Sequence, residues 1–153
     1  MMETFSNIIN KINIREFQIS DYDDLISLYL KSELPYKPEG RDSYTNLKKQ
    51  IKNDSCNIFL AVSDNDIVGS VLVTHDTRKG WINRLAVAPE YRRKGIASKL
   101  IKKAEQWLDN KHIKIFACLI EGWNINSMKL FEERGYKKFP DIAYYTKRKY
   151  KEI

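Results

Sequence analysis

The segment from Trp81 to Asn110 constrains the fold most, because its apolar pattern changes period halfway along. Trp81 to Val87 is a short apolar run with aromatic and β-branched residues, which is typical of a buried strand. Pro89 ends this strand, since proline has no N–H to donate to a sheet ladder. From Ile96 onward the apolar residues follow helical spacing, with charged and amide side chains on the other face. The segment therefore predicts a strand, a loop and a helix in direct succession.

The loop between this strand and this helix is strongly basic and contains one glycine. Its sequence is Tyr91-Arg92-Arg93-Lys94-Gly95-Ile96-Ala97, and we refer to these residues as the basic loop. A helix N-terminus favours an anion through its free N–H groups and the positive end of its dipole. Gly95 removes a Cβ that would obstruct a phosphate, while Arg92 to Lys94 add cationic donors. We interpret the basic loop as a phosphate or pyrophosphate site, although it is neither a Walker loop nor a Rossmann fingerprint.

Composition indicates one soluble domain, residues 1–153. A chain of this length can bury a sizeable core, and 42% hydrophobic residues argue against disorder. The net charge of +7 suits an anionic ligand, nucleic acid or an acidic surface, and equally a solvated basic surface. Because no signal-peptide pattern or membrane-length apolar run is present, we expect a cytoplasmic protein without membrane association. Cys56 and Cys118 form no close-spaced pair, and no metal site is predicted.

The remaining chain predicts a mixed α/β fold with about seven strands. Besides the strand that begins at Trp81, strands are expected near 12–17, as a hairpin at 57–63 and 67–74, at 113–120, and as closing strands at 136–139 and 142–149. Besides the helix that begins at Ile96, helices are expected at 20–31, 44–52 and 124–134. Asp42 or Ser43 would cap the second of these, and Gly135 would end the last. Residues 1–11 are expected to form a short helical or frayed leader.

Two elements resemble the GNAT superfamily of acyl-CoA-dependent N-acyltransferases, most closely its bacterial members of unassigned substrate. Arg92-x-x-Gly95-x-Ala97 matches the family loop Arg/Gln-x-x-Gly-x-Gly/Ala. Residues 124–136 resemble the family helix Asn-x-x-Ala-x-x-Leu-Tyr-x-x-x-Gly-Phe, with Ser127, Phe131 and Tyr136 as variants. The resemblance covers nearly the whole chain. It implies an α/β (α+β) GNAT fold, with a mostly antiparallel sheet that is splayed between strands 4 and 5 and flanked by helices.

The resemblance also implies a site for acetyl-CoA as cosubstrate. Strand 4 would bind the pantetheine arm through its backbone, the basic loop and first helical turn would hold the pyrophosphate, and the helix at 124–134 would line the arm. The implied residues are Leu85, Ala86, Val87, Arg92, Arg93, Lys94, Gly95, Ile96, Ala97, Ser98, Asn124, Ser127 and Phe131. The alternative interpretations are a simple helix cap for Asn124 and ordinary core packing for Phe131.

The implied reaction is direct attack of a primary amine on the acetyl thioester within a ternary complex. A lysine-like amine has a pKa of about 10.4, so a base must take its proton. Glu121, at the end of the predicted fifth strand, is the candidate base, and a solvated turn residue is the alternative. A backbone amide near Val87 would stabilise the oxyanion. Phe131 stands where many family members carry a tyrosine acid, so either no side-chain acid is used or another group serves. Tyr144 and Tyr145 are the candidates, and ordinary surface or core tyrosines are the alternative interpretation.

The acceptor and the partners are less determined by the sequence. Segment 32–43 would cover the acceptor, which could be a small-molecule amine, a protein or peptide N-terminus, or a lysine. A CoA-binding sensor or partner protein of the same fold is one alternative function. A nucleic-acid module using the basic tail 147–151 is a second, although no recognised nucleic-acid motif accompanies this tail. A homodimer is compatible with such a fold.

Overall fold

The computed structural model describes residue 7 and residues 11–151, and its sheet has five strands in this part of the chain. The strands are β1 (Asn13–Glu16), β2 (Cys56–Ser63), β3 (Asp66–His75), β4 (Gly80–Val87) and β5 (Phe116–Ala117). The α-helices are α1 (Tyr22–Lys31), α2 (Tyr44–Gln50), α3 (Ile96–Asn110) and α4 (Ile125–Glu133). Single 3-10 turns occur at Ile19–Asp21 and Pro89–Tyr91.

The five strands lie in the sheet in chain order, and the sheet opens between its last two members. Neighbouring strands from β1 to β4 are antiparallel, whereas β4 and β5 are parallel. β5 pairs with β4 only at Gly80–Phe116 and Trp81–Ala117. Beyond Trp81, no described strand therefore pairs with the side of β4 that faces β5. This confirms the splayed, mostly antiparallel sheet that the resemblance implies.

A β-bulge interrupts the pairing of β3 with β4 next to this opening. The register passes from Ser70–Ala86 to Leu72–Asn83, so two residues of β4 lie opposite one residue of β3. Arg84, one of those two, has a φ of 51°, in the left-handed region that side chains other than glycine rarely adopt. A bulge changes the direction in which a side chain points. It thereby sets the orientation of Arg84 in the middle of an apolar strand.

Helices cover both faces of the sheet, and two apolar clusters fill the layers between them. Alternation along β2 sends Phe59 to the α3 side and Ile58 to the α1 side. On the α3 side the buried residues include Val71, Val73, Ile82, Leu100, Ile101, Ala104 and Leu108; on the other side they include Leu25, Leu28, Tyr29, Leu47, Leu60 and Leu72. Gly80 permits α3 to pack closely, because a Cβ there would overlap the Leu108 side chain.

The helices and their ends follow the sequence prediction closely. Ser43, rather than Asp42, caps α2, since its Oγ accepts a hydrogen bond from the Asn46 amide at 3.2 Å. Gly135 follows α4 with a φ of 92°, which glycine adopts without steric cost. The β2–β3 hairpin also forms as predicted. Asp64 and Asn65 form its two-residue turn with φ values of 47° and 71°.

The predicted strands of the C-terminal third are largely wrong in extent. Only 116–117 of the expected strand 113–120 pairs, because β4 and β5 diverge after Ala117. The expected strands at 136–139 and 142–149 do not form. Within the described residues, no backbone hydrogen bond joins this region to the sheet, and a strand without a partner has no ladder. The sheet therefore has five described strands where about seven were expected, and the predicted leader lies almost wholly outside the described residues.

Candidate active site

The start of α3 presents a row of backbone donors that the described chain does not use. The amides of Gly95, Ile96, Ala97 and Ser98 donate no hydrogen bond within the described residues, and the first bonded amide of the helix is that of Lys99, to Gly95 O at 3.1 Å. Gly95 occupies the cap position and has no side chain that could accept from them. Free amides at the positive end of a helix favour an anion, which makes this row a candidate anion site.

The backbone before α3 is folded into a tight loop by two left-handed residues. Arg93 has a φ of 60° and Gly95 a φ of 78°. Gly95 adopts this conformation without the steric cost that a Cβ would bring. Successive amides in such turns form concave sites for anions. The basic loop therefore combines two left-handed residues with the helix terminus, and the predicted phosphate site stays a prediction.

The basic side chains of this loop have different surroundings. Arg92 donates from Nε to Val87 O at 3.1 Å and from Nη2 to Ser32 O at 3.4 Å, so it links the end of β4 to the end of α1. Lys94 donates to Glu90 O at 3.0 Å, and its ammonium group lies 5.2 Å from the centre of the Tyr91 ring. Arg93 is exposed and makes none of these contacts. Arg93 is thus the loop cation best placed for an external anion.

The end of β4, the start of α3 and α4 all contribute to the apolar cluster on the α3 side of the sheet. Ile96 and Phe131 are buried in that cluster, and the half-buried Leu85 and Val87 pack against it. Ala86 is buried on the opposite side of the sheet. No described strand pairs with the β5 side of β4 here, so this open edge leads directly into the basic loop, and α4 shares the same apolar cluster.

The structure of helix α4 agrees with the alternative interpretations of Asn124 as a helix cap and of Phe131 as a core residue. Both roles are compatible with the contacts to the pantetheine arm that the resemblance implies. Asn124 Oδ1 accepts from the Ser127 amide at 3.2 Å, so Asn124 is a helix cap. Phe131 is 5% exposed and meets the Tyr136 ring edge to face, with the centroids 5.0 Å apart. Phe131 is therefore a core residue. Asn124 and Ser127 are half-buried, and the amide nitrogen of the Asn124 side chain is not used by the cap.

The two side chains predicted for proton transfer are both exposed. Glu121 follows β5, and its backbone carbonyl accepts from the Asn124 amide at 2.9 Å. Tyr144 is 70% exposed and lies in the C-terminal region that does not join the sheet. Within residues 11–151, no hydrogen bond or ion pair orients either side chain. Their position beside the opening thus remains a prediction from the sequence.

A buried ionic contact beside the opening was missed by sequence reasoning. Arg84 donates from Nη2 to Asp42 Oδ2 at 3.0 Å and to Pro35 O at 2.9 Å, and its guanidinium lies 4.9 Å from the centre of the Tyr29 ring. Asp42 Oδ2 also accepts from the Lys37 amide at 2.6 Å. These contacts fix segment 32–43 against β4. The available signal was a charged residue within an apolar strand, since buried arginines are almost always paired.

The same region holds polar groups in an apolar setting. The side-chain atoms Ser70 Oγ and Arg84 Nε are buried and have no hydrogen-bond partner in the described chain. Burial raises the pKa of Tyr29, and the neighbouring Arg84 charge opposes this effect. Tyr29 is therefore neutral at physiological pH. The side of the sheet opposite α3 thus carries polar groups from β3 and β4 near segment 32–43.

Thiol and metal chemistry receive no support from the described residues. Burial raises the pKa of the Cys56 and Cys118 thiols to about 11, so that neither is a significant thiolate at neutral pH. Across residues 7 and 11–151, no group of three or more His, Cys, Asp or Glu side chains is arranged to hold a metal ion. No described helix is long and apolar enough to cross a membrane.

Fold and site together define an α/β protein with a basic loop at a helix N-terminus, next to the opening of a splayed sheet. The sequence model of the acetyltransferase (GNAT) family matches residues 22–136. The chain therefore belongs to the acetyltransferase (GNAT) family. This confirms the resemblance stated above and the prediction of an acyl-CoA-dependent N-acetyltransferase.

Individual relatives agree with this membership. The acetyltransferase SG1711 of Sodalis glossinidius (strain morsitans) is 25% identical over 137 residues, covering 90% of this chain and 95% of the relative. The structure of AAC(6')-Iy in complex with the bisubstrate analogue CoA-S-monomethyl-acetylneamine has a TM-score of 0.77 at 19% identity, covering 90% and 98% of the two chains. The PaiA N-acetyltransferase from Thermoplasma acidophilum, in complex with coenzyme A, has a TM-score of 0.74 at 21% identity, covering 82% and 89%. At these identities the two structures establish a shared fold.

Proposed function

We propose that this protein transfers an acetyl group from acetyl-CoA to a primary amine by direct attack within a ternary complex. The observation that carries the proposal is the row of four unused amides, Gly95 to Ser98, at the opening of the sheet. When bound, acetyl-CoA supplies a pyrophosphate anion, an amide-bearing pantetheine arm and an electrophilic thioester carbonyl. The residues at the opening would have to bind each of these three parts.

The residues fit the pyrophosphate and the arm. Four helix-terminal amides and the exposed Arg93 match a doubly charged anion, because charge-assisted hydrogen bonds from fixed donors are among the strong ones. The arm carries amide groups on an apolar chain. It suits the edge of β4 beyond Trp81, where backbone groups lack a strand partner and Leu85 and Val87 are half-buried. The Val87 carbonyl already accepts from Arg92, so this residue would contribute its amide.

The chemistry requires removal of a proton from the amine and stabilisation of an oxyanion. We assign proton removal to Glu121, directly or through water, because its carboxylate is solvated and follows β5. The backbone amide near Val87 is the proposed oxyanion donor. Phe131 is packed in the core and supplies no acid. Tyr144 keeps its proposed role as acid for the thiol, which is also a tolerable leaving group without one.

The acceptor class rests on segment 32–43, which the resemblance places over the acceptor. Arg84 and Asp42 hold segment 32–43 against β4, so an acceptor would meet a fixed wall there. Glu33 and Glu39 in this segment are candidates to attract an ammonium group. An amine acceptor is also consistent with the AAC(6')-Iy structure, whose bisubstrate analogue joins CoA to an acetylneamine.

Calorimetry with acetyl-CoA, followed by thiol release with a panel of amines and peptide N-termini, tests the proposal. Arg93→Glu should weaken acetyl-CoA binding about tenfold or more, because it removes a charge-assisted contact and repels the anion. Arg78→Glu is the matched control, since it makes the same charge change at an exposed turn. Binding without thiol release from any amine would favour a CoA-binding sensor. Equal binding by Arg93→Glu and Arg78→Glu would refute the loop assignment.

A further inference from the structure

The guanidinium group of Arg84 is fixed in place but keeps donors that no described residue uses. Of its three nitrogens only Nη2 donates within the described chain, to Pro35 O at 2.9 Å and to Asp42 Oδ2 at 3.0 Å. Nε is buried without a partner, and Nη1 makes no such bond although it is not one of the buried atoms. The side chain is 14% exposed. Arg84 therefore offers an oriented donor group to a molecule that reaches this side of β4.

The charges in contact with Arg84 do not balance. Asp42 is 4% exposed and accepts from Arg84, but Arg41 Nε also lies 3.9 Å from the same carboxylate oxygen. Two guanidinium groups thus share one carboxylate. Tyr29 brings no compensating negative charge, because burial raises the pKa of its hydroxyl. The described contacts therefore leave a net positive charge beside segment 32–43.

A buried hydroxyl group faces the same layer of the protein. Ser70 is fully buried, and its Oγ has no well-formed hydrogen bond within the described chain. It lies opposite Ala86 in the β3–β4 pair, and residues opposite each other in a sheet share a face. Ala86 belongs to the apolar cluster on the α1 side, as does Tyr29, whose ring Arg84 contacts. Since buried polar atoms without partners are rare, we expect an atom of water or of a ligand to approach this cluster.

We propose that Arg84 binds a carboxylate of the acceptor, so that the substrate is an amine that also carries an acid, such as a free amino acid. This inference rests on the acetyl transfer proposed above. A carboxylate oxygen can accept from Nη1, while Asp42 holds the guanidinium in position before the substrate arrives. Arg84 directly precedes the β4 residues 85–87 that we propose for the pantetheine arm. The contact would therefore hold the acceptor next to the thioester.

The same arrangement disfavours an acceptor that carries several ammonium groups and no acid. Such a molecule would bring like charges close to Arg84 and Arg41, and these repel one another most strongly where water is partly excluded. The carboxylates of Glu33 and Glu39 remain candidates for the single ammonium group of an amino acid. The proposal thus separates amino acids from polyamines and aminoglycosides as acceptors.

Matched acceptors test the charge preference in the wild-type protein. Amino acids are compared with their amides, which lack the carboxylate, and with diamines such as cadaverine, by thiol release from acetyl-CoA. When kcat/KM is referred to the neutral amine, the acid of each pair should be at least about tenfold better, because its amide loses a charge-assisted hydrogen bond. Amides or diamines that react equally well would overturn the proposal and leave acetyl transfer intact. Thiol release with no amine would refute the proposed function as well.

The variant Arg84→Lys tests which residue recognises the acid. Lysine keeps a positive charge beside Asp42, but its single nitrogen would be engaged there and could not also serve the substrate. The preference for acid over amide should fall about tenfold, while calorimetry should show unchanged acetyl-CoA affinity. Because both acceptors are measured with the same preparation, partial unfolding cancels from their ratio.

Arg15→Lys is the matched control for this variant. It makes the same change in another arginine–aspartate pair, Arg15 with Asp21 on the β1 side of the sheet, and should keep the wild-type preference. If Arg84→Lys also kept that preference, the proposal would be overturned. A loss of acetyl-CoA affinity in Arg84→Lys but not in Arg15→Lys would overturn it too, because Arg84 would then belong to the cosubstrate site.

Discussion

Arg84 Nη2 lies 3.0 Å from Asp42 Oδ2, a contact between strand β4 and segment 32–43 with both side chains largely buried. The bulge in β4 directs Arg84 toward this carboxylate, and Pro35 O provides a second acceptor for the same nitrogen. The pair fixes segment 32–43, which we propose covers the acceptor, against β4. The pair therefore positions segment 32–43 and also contributes to the free energy of unfolding.

Removing one partner of this pair should be costly. Asp42→Ala leaves the Arg84 guanidinium buried without a counter-charge, and we expect a loss of about 3 kcal/mol in the free energy of unfolding. Urea denaturation measures this loss. Asp54→Ala, at an exposed turn position, is the control and should stay within about 0.5 kcal/mol of wild type. We also expect a higher acceptor KM for Asp42→Ala, and an unchanged KM would separate the pair from the acceptor site.

An acidic side chain at position 95 should impair the binding of acetyl-CoA rather than folding. Gly95→Asp introduces a carboxylate beside the four free amides, where it competes with a pyrophosphate for the same donors. We expect acetyl-CoA affinity to fall at least about tenfold while the fold is retained, as measured by calorimetry and circular dichroism. Gly135→Asp is the control for backbone strain, because Gly135 also has a positive φ and open space around it. If the two variants bind acetyl-CoA equally, the amide row is not the anion site.

We expect Arg92 to act by holding two backbone carbonyls of the protein itself. Its side chain joins Val87 O to Ser32 O, so Arg92→Ala frees the end of β4 from the end of α1. The double variant Arg92→Ala/Gly95→Asp should lose acetyl-CoA binding severely without unfolding. Wild-type affinity in the folded double variant would contradict the assignment of the whole basic loop.

Glu121 should act on the rate rather than on binding. Glu121→Gln keeps the shape of the side chain and removes its basicity, so kcat at neutral pH should fall on the order of 100-fold with a smaller rise in acceptor KM. Glu132→Gln, at an exposed position of α4, makes the same chemical change outside the opening and should leave kcat unaltered. An unchanged kcat in Glu121→Gln would remove it as the base.

A second ion pair predicts a defined pH dependence of stability. Arg15 donates from Nη1 and Nη2 to the two carboxylate oxygens of Asp21, each at 2.8 Å, and this contact lowers the pKa of Asp21. Because the folded pKa lies below the unfolded one, the stabilisation is present above about pH 4 and disappears as the pH falls through the folded pKa. Asp21→Asn should therefore destabilise by about 1 kcal/mol or less at pH 7 and by still less at pH 3, as measured by urea denaturation. If the free energies of unfolding of wild type and Asp21→Asn differed by the same amount at pH 7 and at pH 3, the charge of Asp21 would not be the cause of the difference.

Local sequence determined the helices, the hairpin and the basic loop. The apolar period that begins at Ile96 produced α3, and Asn124 and Gly135 bound α4 at its two ends. Asp64 and Asn65 tolerate the left-handed backbone of a two-residue turn. These features depend on residues within a few positions of one another. The loop motif likewise indicates the family, because it also depends only on neighbouring residues.

Tertiary structure decided the features that depend on distant partners. The apolar run at 81–87 does not reveal that Arg84 meets Asp42, or that Arg92 bonds to the protein's own carbonyls, because each partner comes from another part of the fold. The patterns at 113–120 and 142–149 have the composition of strands, yet only Phe116 and Ala117 pair. A helix satisfies its backbone from within, so its sequence predicts it. A strand exists only where a neighbour offers hydrogen bonds, and that neighbour is fixed by the assembled fold.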